Sequence, residues 1–211
     1  MARRSDHSRD ELKTLILDRA WDILGQEGAN ALTARRIATE IGYTPGTIYN
    51  VFESMDDLYL SLNERTLDVL YNVLASSKCN DPTKSSVQNM KKMADLYMEF
   101  AREFRPYWEM LFSFHLPEMR KEKNWYQEKI NRLFLPLENL LAEFFSGQRH
   151  KKRKMAARVL WSSVHGLCFL QETGKMPLVG GKAQIHEMVC YLIDTFVAGI
   201  KGPSVTVKTV P

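Results

Sequence analysis

The stretch from Leu32 to Phe52, LTARRIATEIGYTPGTIYNVF, constrains the fold more than any other part of the sequence. It predicts two short helices separated by a tight turn at Gly42, a residue type that adopts the left-handed backbone conformation at little cost. Thr33 is placed to cap the first helix, and Thr44 to cap the second, with Pro45 at its first position. Helices this short are not stable alone, so one face of each must pack on a neighbour. This is the pattern of a helix-turn-helix, whose second helix enters the major groove of DNA.

Apolar residues on both sides of this stretch also recur at helical spacing. A helix is predicted to begin after Ser8, because Ser8 and Glu11 form a capping box, and to end at Gly28. Another is predicted to begin after Ser54 and to run to about Ser77. After a linker-like stretch, further helices are predicted over 83–105, 107–115, 122–147, 151–173 and 183–201. We therefore expect an all-α fold, with an N-terminal three-helix bundle that contains the helix-turn-helix and a larger C-terminal helical bundle.

Composition limits the class of protein and its compartment. Hydrophobic residues make up 45% of the 211 residues and charged residues 26%, as in a globular protein that buries a core. Cys79, Cys168 and Cys190 are widely spaced, which indicates free buried thiols in a reducing cytoplasm and argues against a disulfide framework or a zinc site. The basic N-terminus is followed by no apolar run, and no stretch approaches the length of a membrane span. We expect a cytoplasmic protein with no membrane contact.

Charge alone gives little support for a nucleic-acid partner. The net charge is +4, but residues 1–52 contain seven basic and seven acidic side chains. Arg3 and Arg4 form a loose arm that either contacts phosphate or the minor groove, or is an untethered solubilising terminus. The basic stretch from Arg149 to Lys154 is either attractive to phosphate or a solvated face between two helices.

The C-terminal half is unusually rich in aromatic and methionine residues. Such side chains can line an apolar pocket for a small molecule, although at helical spacing they more often fill a core. The candidate pocket residues are Trp108, Phe112, His115, Trp125, Trp161, His165 and Phe169.

The last two long helices each present a wide apolar seam, from Val159 to Leu167 and from Ile185 to Ile200. Each seam is wider than one intramolecular neighbour requires. We therefore expect a two-fold homodimer formed by pairing these helices with their copies.

Catalytic and metal-binding motifs are absent from the sequence. There is no HExxH, no GxSxG and no GxGxxG after a strand. Gly181-Lys182 is followed by Ala183 where a P-loop requires Ser or Thr, and Met176 stands where its first Gly should be. The histidines show no paired spacing for a metal. We expect no enzymatic activity, no catalytic residue, no metal site and no cofactor.

Residues 8–62 resemble the TetR-type transcriptional regulators. The positions that match in register are Thr33, Ile37, Ala38, Gly42, Thr44, Gly46, Thr47, Ile48, Tyr49, Phe52 and Leu58. In the C-terminal half, Trp161 followed by His165, Gly166 and Leu167 is similar to the WHG-type effector domain of that family. The resemblance implies an all-α homodimer that binds DNA through a helix-turn-helix and a small-molecule effector through its C-terminal domain. Most members of the family repress transcription, and release DNA when the ligand changes the spacing of the DNA-binding domains of the two protomers.

The resemblance also implies roles for individual residues. Thr33, Thr44 and Tyr49 would bind backbone phosphates, whereas Thr47 and Asn50 would face base edges together with Pro45, and Gly46 would permit close approach. The full candidate DNA-binding set is Thr33, Arg35, Arg36, Tyr43, Thr44, Pro45, Gly46, Thr47, Tyr49 and Asn50. The expected domains are residues 1–56 for DNA binding, 57–204 for effector binding and dimerisation, and 205–211 for a flexible tail.

Two positions depart from the family pattern. Val51 stands where the family usually has His or Tyr, and Met55 where it usually has Lys, and both are typical phosphate contacts. Weaker non-specific binding is therefore expected, unless Arg35 and Arg36 or the N-terminal arm compensate.

The function expected from the whole sequence is that of a ligand-responsive transcriptional regulator of the repressor type. It would bind a palindromic, inverted-repeat operator in double-stranded DNA as a dimer and be released by a small hydrophobic or amphiphilic effector. The alternative is a helical small-molecule-binding or interaction module with a weak or vestigial helix-turn-helix. That alternative stays open because residues 1–52 contain equal numbers of basic and acidic side chains, and because Val51 and Met55 stand at positions where the family has phosphate-binding residues.

Overall fold

The computed structural model of the chain describes residues 7–114, 124–145, 150–180 and 184–202. Within these ranges it contains α-helices joined by turns and short 3-10 segments, and no strand, which confirms the predicted all-α class. The helices are α1 (Arg9–Glu27), α2 (Ala34–Glu40), α3 (Pro45–Val51), α4 (Met55–Leu74), α5 (Ser86–Glu103), α6 (Arg105–Ser113), α7 (Asn124–Leu140), α8 (His150–Glu172), α9 (Met176–Gly180) and α10 (Ile185–Lys201).

Some sequence predictions fall outside the described residues. They concern the arm at Arg3 and Arg4, the pocket candidate His115, Arg149 of the basic stretch, the residues Gly181 to Ala183, and the tail over 205–211. Among the described helices, none is both long enough and apolar enough to cross a membrane.

The helix starts predicted at Ser8 and Thr33 are confirmed by the hydrogen bonds at their caps. The backbone N–H of Ser8 donates to the Glu11 carboxylate at 2.7 Å, and the Glu11 N–H donates to the Ser8 hydroxyl at 3.3 Å. The Thr33 hydroxyl accepts from the backbone N–H of Arg36 at 3.1 Å. Gly42 has φ of +74°, so the turn between α2 and α3 uses the left-handed conformation that glycine permits.

Thr44 differs from its predicted capping role. It occupies the position before α3, with Pro45 as the first helical residue, but its side chain makes no capping bond to the backbone. Its hydroxyl instead lies 3.3 Å from the hydroxyl of Thr47. Pro45 has no N–H, so the first position of α3 has no backbone donor that is left unpaired.

The chain divides into two compact units. The first consists of residues 1–69 and 104–129, and its core gathers side chains from α1 to α4 together with Met110 of α6. That core consists of Ile16, Ala20, Ile23, Leu24, Leu32, Ala34, Ile37, Ala38, Ile48, Phe52, Leu58, Leu62 and Met110. The buried face of the helix-turn-helix thus packs against α1 and α4, which gives its short helices the support that they require.

The second unit consists of residues 70–103 and 130–211. Here α10 packs against both α5 and α8, and α5 also contacts α8. A charge pair with a buried carboxylate lies in this unit: Glu138 of α7 is 2% exposed, and its carboxylate accepts at 3.0 Å from the guanidinium of the half-buried Arg158. Arg158 also donates to the Asn131 amide oxygen at 3.0 Å, and its guanidinium lies 4.6 Å from the centroid of the Phe134 ring.

Several helix ends differ from prediction. The α4 helix ends at Leu74 and not near Ser77, because the Ser76 hydroxyl donates to the Val73 carbonyl at 2.7 Å and the chain turns there. The α7 helix ends at Leu140 and is followed by a 3-10 turn, earlier than the predicted 147. The short α9 was not predicted; it follows Gly174, whose φ of +69° ends the preceding helix.

Candidate DNA interface and effector pocket

The second helix of the helix-turn-helix has one buried and one exposed face. Ile48 is 1% exposed, and Phe52, just beyond the end of α3, is also 1% exposed, so this side is fixed in the core of the first unit. Tyr49 is 53% exposed, and Asn50 beside it is exposed as well. A seven-residue helix therefore offers side chains that can hydrogen-bond to nucleic acid without disturbing its packing.

Most of the candidate DNA-binding residues are exposed to solvent. The exposed ones are Thr33, Arg35, Arg36, Thr44, Pro45, Gly46, Tyr49 and Asn50, and the half-buried ones are Tyr43 and Thr47. The Tyr43 hydroxyl lies 2.9 Å from Nδ1 of His7, so the start of α1 and the turn before α3 are joined by a hydrogen bond. Hydroxyl groups at the start of α3 and on the turn before it are the type of donor that contacts backbone phosphate.

The two arginines of α2 are not equivalent. The Arg36 guanidinium forms ion pairs with Glu27 at 2.7 Å and with Glu40 at 2.9 Å, and the hydrogen bond that it donates to the Glu27 carboxylate raises the pKa of this already cationic group. Within the part of the chain that the structure describes, Arg35 is exposed and has no recorded ion pair. Of the two, Arg35 is the cation better placed to receive a phosphate.

The two departures from the family pattern are explained by packing. Val51 and Met55 are both half-buried and pack against the core of the first unit. They stabilise the fold at positions where a longer polar side chain would reach outward to a phosphate. Neither side chain can supply the phosphate contact that the family pattern has at its position.

A small apolar cavity lies inside the second unit. Its volume is about 40 Å³, and it is lined by Leu74, Met90, Met93, Ala94, Tyr97, Leu133, Phe134, Leu137, Leu160, Trp161, Val164 and Ile193. These residues come from the end of α4 and from α5, α7, α8 and α10. Many helices thus contribute to one apolar space, as in ligand sites built between the helices of a bundle.

One wall of the cavity carries a polar pair. The Tyr97 hydroxyl lies 2.6 Å from Nδ1 of His165, and the His165 ring stacks on Trp161 with centroids 5.0 Å apart. Burial lowers the pKa of His165, so the imidazole is neutral at physiological pH. The cavity is therefore bordered by a neutral aromatic cluster with hydrogen-bonding capacity and no net charge.

Comparison with known proteins decides the family. The profile described as "Bacterial regulatory proteins, tetR family" matches residues 16–62. The profile described as "Tetracyclin repressor-like, C-terminal domain" matches residues 90–196, which is just over half of the chain. The chain belongs to the TetR family of bacterial regulatory proteins. The exposed face of α3 lies within the first match, and Trp161 and His165 within the second.

Individual relatives of this TetR-family regulator are distant. An uncharacterized HTH-type transcriptional regulator of Mycobacterium tuberculosis is 24% identical over 184 residues, which are 84% of this chain and 78% of that protein. Among solved structures, a protein of unknown function from Rhodococcus sp. RHA1 superposes with a TM-score of 0.70 at 20% identity, covering 95% of this chain and 100% of the other. The multidrug binding protein EbrR, solved with imidazole, superposes with a TM-score of 0.59 at 20% identity, covering 92% and 98%. These structures share the fold.

The predicted pocket residues of this TetR-family chain are distributed over both units. Trp161 lines the cavity of the second unit, and His165 lies behind it through its contacts with Trp161 and Tyr97. Phe169 of α8 is 44% exposed. Trp108, Phe112 and Trp125 belong to the first unit; Trp108 is 2% exposed and Phe112 packs edge-on against it at 5.3 Å.

Sequence reasoning missed the residues that α5 contributes to the cavity. Met90, Met93, Ala94 and Tyr97 lie at spacings of three and four, so one stripe of α5 faces the cavity. This spacing is visible in the sequence, but it also describes an ordinary core helix. Among the described residues, no group of three or more His, Cys, Asp and Glu side chains is arranged to hold a metal ion.

Proposed function

We propose that this TetR-family regulator is a ligand-responsive repressor that reads an inverted-repeat operator as a homodimer, in the cytoplasm where bacterial DNA lies. The exposed side of α3 is the observation that carries the proposal. Tyr49 and Asn50 project from a helix whose opposite side, Ile48, is fixed in the core. Asn50 would pair with adenine in the major groove, and Thr47 or Pro45 would contact a thymine methyl group.

Dimerisation through α8 and α10 is the second part of the proposal. A groove between these helices is lined by Ser163, Leu167, Glu187, Met188, Tyr191, Leu192 and Thr195. Tyr191 is 75% exposed and Val159 on α8 is 49% exposed, which is unfavourable for large apolar side chains in a monomer. A second copy related by a two-fold axis would cover both helices at once.

The proposed effector is a small hydrophobic or amphiphilic compound bound in the second unit. The lining of the cavity is apolar, and the Tyr97–His165 pair offers a place for one polar group. A volume of about 40 Å³ is far below the roughly 300–1,000 Å³ of ligand sites, so binding requires the helices or side chains around it to move. Such a movement gives a ligand unequal affinity for two conformations, which an effector needs in order to change DNA binding. The multidrug binding protein EbrR has this fold and was solved with imidazole.

Selection of bound duplexes from a random DNA pool tests the DNA part of the proposal. The wild-type protein should enrich an inverted repeat, and Asn50→Ala should enrich the same repeat with one position per half-site relaxed. Native mass spectrometry of the selected complex should show two protomers on one duplex. A pool that stays random after selection would argue against the proposal.

Binding of a medium-chain fatty acid, followed by tryptophan fluorescence, tests the effector part. Because Trp161 lines the cavity, the change in fluorescence should be largely lost in Trp161→Phe. Trp125→Phe is the matched control, since Trp125 belongs to the first unit. An equal response in wild type and Trp161→Phe would place the ligand elsewhere.

A vestigial helix-turn-helix is the second candidate, and two observations favour it. Arg36 is occupied by Glu27 and Glu40, and Val51 and Met55 are turned into the core, so few cations remain for phosphate. The protein would then be a helical ligand-binding or interaction module. Sequence-specific retention on DNA at physiological salt separates the two candidates.

A further inference from the structure

Three side chains on α5 and α10 form a chain of contacts that neither the DNA-binding surface nor the cavity uses. The carboxylate of Asp95 lies 2.9 Å from Nδ1 of His186, and Nε2 of the same imidazole lies 3.6 Å from the Sγ of Cys190. His186 and Cys190 are four residues apart on α10, so they lie on the same face of the helix, and Asp95 comes from the neighbouring α5.

This arrangement is that of a nucleophile, a base and a group that orients the base. With Nδ1–H donating to the Asp95 carboxylate, the lone pair of the neutral imidazole lies on Nε2 and faces the thiol. We propose that Cys190 is a covalent capture site for small α,β-unsaturated carbonyl compounds, with His186 as its base and Asp95 as the positioning residue. The proposal is independent of the proposed function.

The other two cysteines lack this environment. Cys79 and Cys168 are buried, and burial raises the pKa of both thiols, that of Cys168 to about 12. The Cys79 thiol donates to the Val73 carbonyl oxygen at 3.8 Å. Cys190 is half-buried, and His186 beside it has 60% of its side chain exposed. A small reagent in solution can therefore reach this thiol, whereas Cys79 and Cys168 are internal controls for unassisted thiols.

The site remains accessible in the proposed dimer. Contacts from His186 to Asp95 and from Asp194 to Lys91 turn this side of α10 towards α5. Tyr191 lies on the side that forms the groove with α8.

A cleft begins beside the triad and offers room for a small compound. Its volume is about 320 Å³, and it is lined by Asp95, Met98, Glu99 and Arg102 of α5, by Cys168, Gln171 and Glu172 of α8, and by Ile185 of α10. Asp95 is the member of the triad that lines this cleft, and the buried Cys168 lines it as well, so Cys168 is a control thiol at the same cleft. The lining mixes apolar and charged groups, which suits a molecule with a short hydrocarbon part and one polar carbonyl.

The proposed step is an addition in which atoms and electrons balance. The proton of the Cys190 thiol moves to Nε2 of His186, and the thiolate forms a C–S bond with the β-carbon of the alkene. The π electron pair moves to the carbonyl oxygen to give an enolate, and the imidazolium then returns its proton to the α-carbon. No group leaves, and no oxidant or reductant is required.

Alkylation of the folded, full-length protein with N-ethylmaleimide, a compound of this class, tests the proposal. Peptide mass spectrometry over time gives the rate at each cysteine separately. Cys190 should react first. His186→Gln should slow its reaction about tenfold, because glutamine cannot accept the thiol proton and the reactive thiolate is no longer formed with the help of a base. Asp95→Asn should also slow it, because the base is no longer oriented.

Rescue by a conservative variant gives a readout that a structural role would not move. Asp95→Glu, which keeps a carboxylate to orient the base, should restore most of the alkylation rate at Cys190 that Asp95→Asn loses, while the rates at Cys79 and Cys168 stay unchanged in both variants. Circular dichroism checks that each variant is folded. Equal alkylation of Cys190 in wild type and His186→Gln, or equal rates in Asp95→Glu and Asp95→Asn, would overturn the proposal.

Discussion

The ring of Tyr107 on α6 stacks on the indole of Trp21 on α1, with centroids 4.0 Å apart. The Tyr107 hydroxyl also donates to the Trp21 carbonyl oxygen at 3.2 Å, and the Arg65 guanidinium lies 4.6 Å from the Trp21 ring centroid. This contact joins α6 to the helix that supports the helix-turn-helix, within the first unit. It depends on Gly25, because a Cβ at that position would overlap the Tyr107 hydroxyl oxygen.

A double-mutant cycle tests that dependence. Gly25→Ala should gain about 1 kcal/mol of helix propensity but lose the stack and its hydrogen bond, together about 2 kcal/mol. The free energy of unfolding should therefore fall by about 1 kcal/mol, whereas in a Tyr107→Ala background the same substitution should raise it by about 1 kcal/mol. Denaturant unfolding of the four proteins measures both values. Additive effects would mean that the ring does not require the glycine.

The difference between Arg35 and Arg36 predicts different salt dependences of DNA binding. Arg35→Ala should lower the slope of log affinity against log salt by about one unit, since one phosphate contact is lost. Arg36→Ala should change it less, because Glu27 and Glu40 already occupy that guanidinium. Replacing both glutamates with glutamine should release Arg36 and steepen the slope. Equal slopes for the two arginine variants would remove this distinction.

The carboxylate of Glu138 predicts a stability effect in the second unit. Arg158→Met would leave that group buried without its cation, and the free energy of unfolding should fall by about 3 kcal/mol. Changing Glu138 to Gln in the same variant should recover part of the loss, since the neutral amide is less costly to bury. Thermal and denaturant unfolding measure both. A loss under about 0.5 kcal/mol, the range of ordinary surface substitutions, would contradict the role of the pair.

Stability should also depend on the protonation of His165. Burial lowers its pKa in the folded state, so the unfolded chain binds this proton more readily. The contribution of neutral His165 to the free energy of unfolding is fully present above the ordinary pKa of 6.5. It is lost as the pH falls from there towards the pKa of the folded state. His165→Gln should reduce the slope of unfolding free energy against pH in that window. An unchanged slope would show that His165 is not the group that titrates.

The features predicted best from sequence are those fixed by residues close together in the chain. The Ser8–Glu11 capping box, the Thr33 cap and the turn at Gly42 are local, so their chemistry is visible in the residues themselves. The family resemblance added the expectation that α3 contacts the bases of DNA. The predicted capping bond of the Thr44 side chain was wrong, because the Thr44 hydroxyl pairs with the Thr47 hydroxyl one helical turn away.

The arrangements missed by sequence reasoning depend on contacts between distant residues. Tyr97 meets His165 across 68 positions, and Asp95 meets His186 across 91. The spacing of His186 and Cys190 alone indicates only that they share a helix face. The exposure of Cys190 also differed from the expected burial of all three cysteines, since Cys190 is half-buried whereas Cys79 and Cys168 are buried.

The affinity of the protein for the selected inverted repeat, compared with a scrambled duplex at physiological salt, tests the central claim most directly. Wild type should prefer the repeat by at least about 4 kcal/mol, the lower end for specific DNA-binding proteins. Asn50→Ala should lose about 1–3 kcal/mol of that preference, while Asn139→Ala on α7, outside the helix-turn-helix, should retain it. Equal affinity of wild type for both duplexes would contradict the assignment of α3 as a reader of DNA sequence.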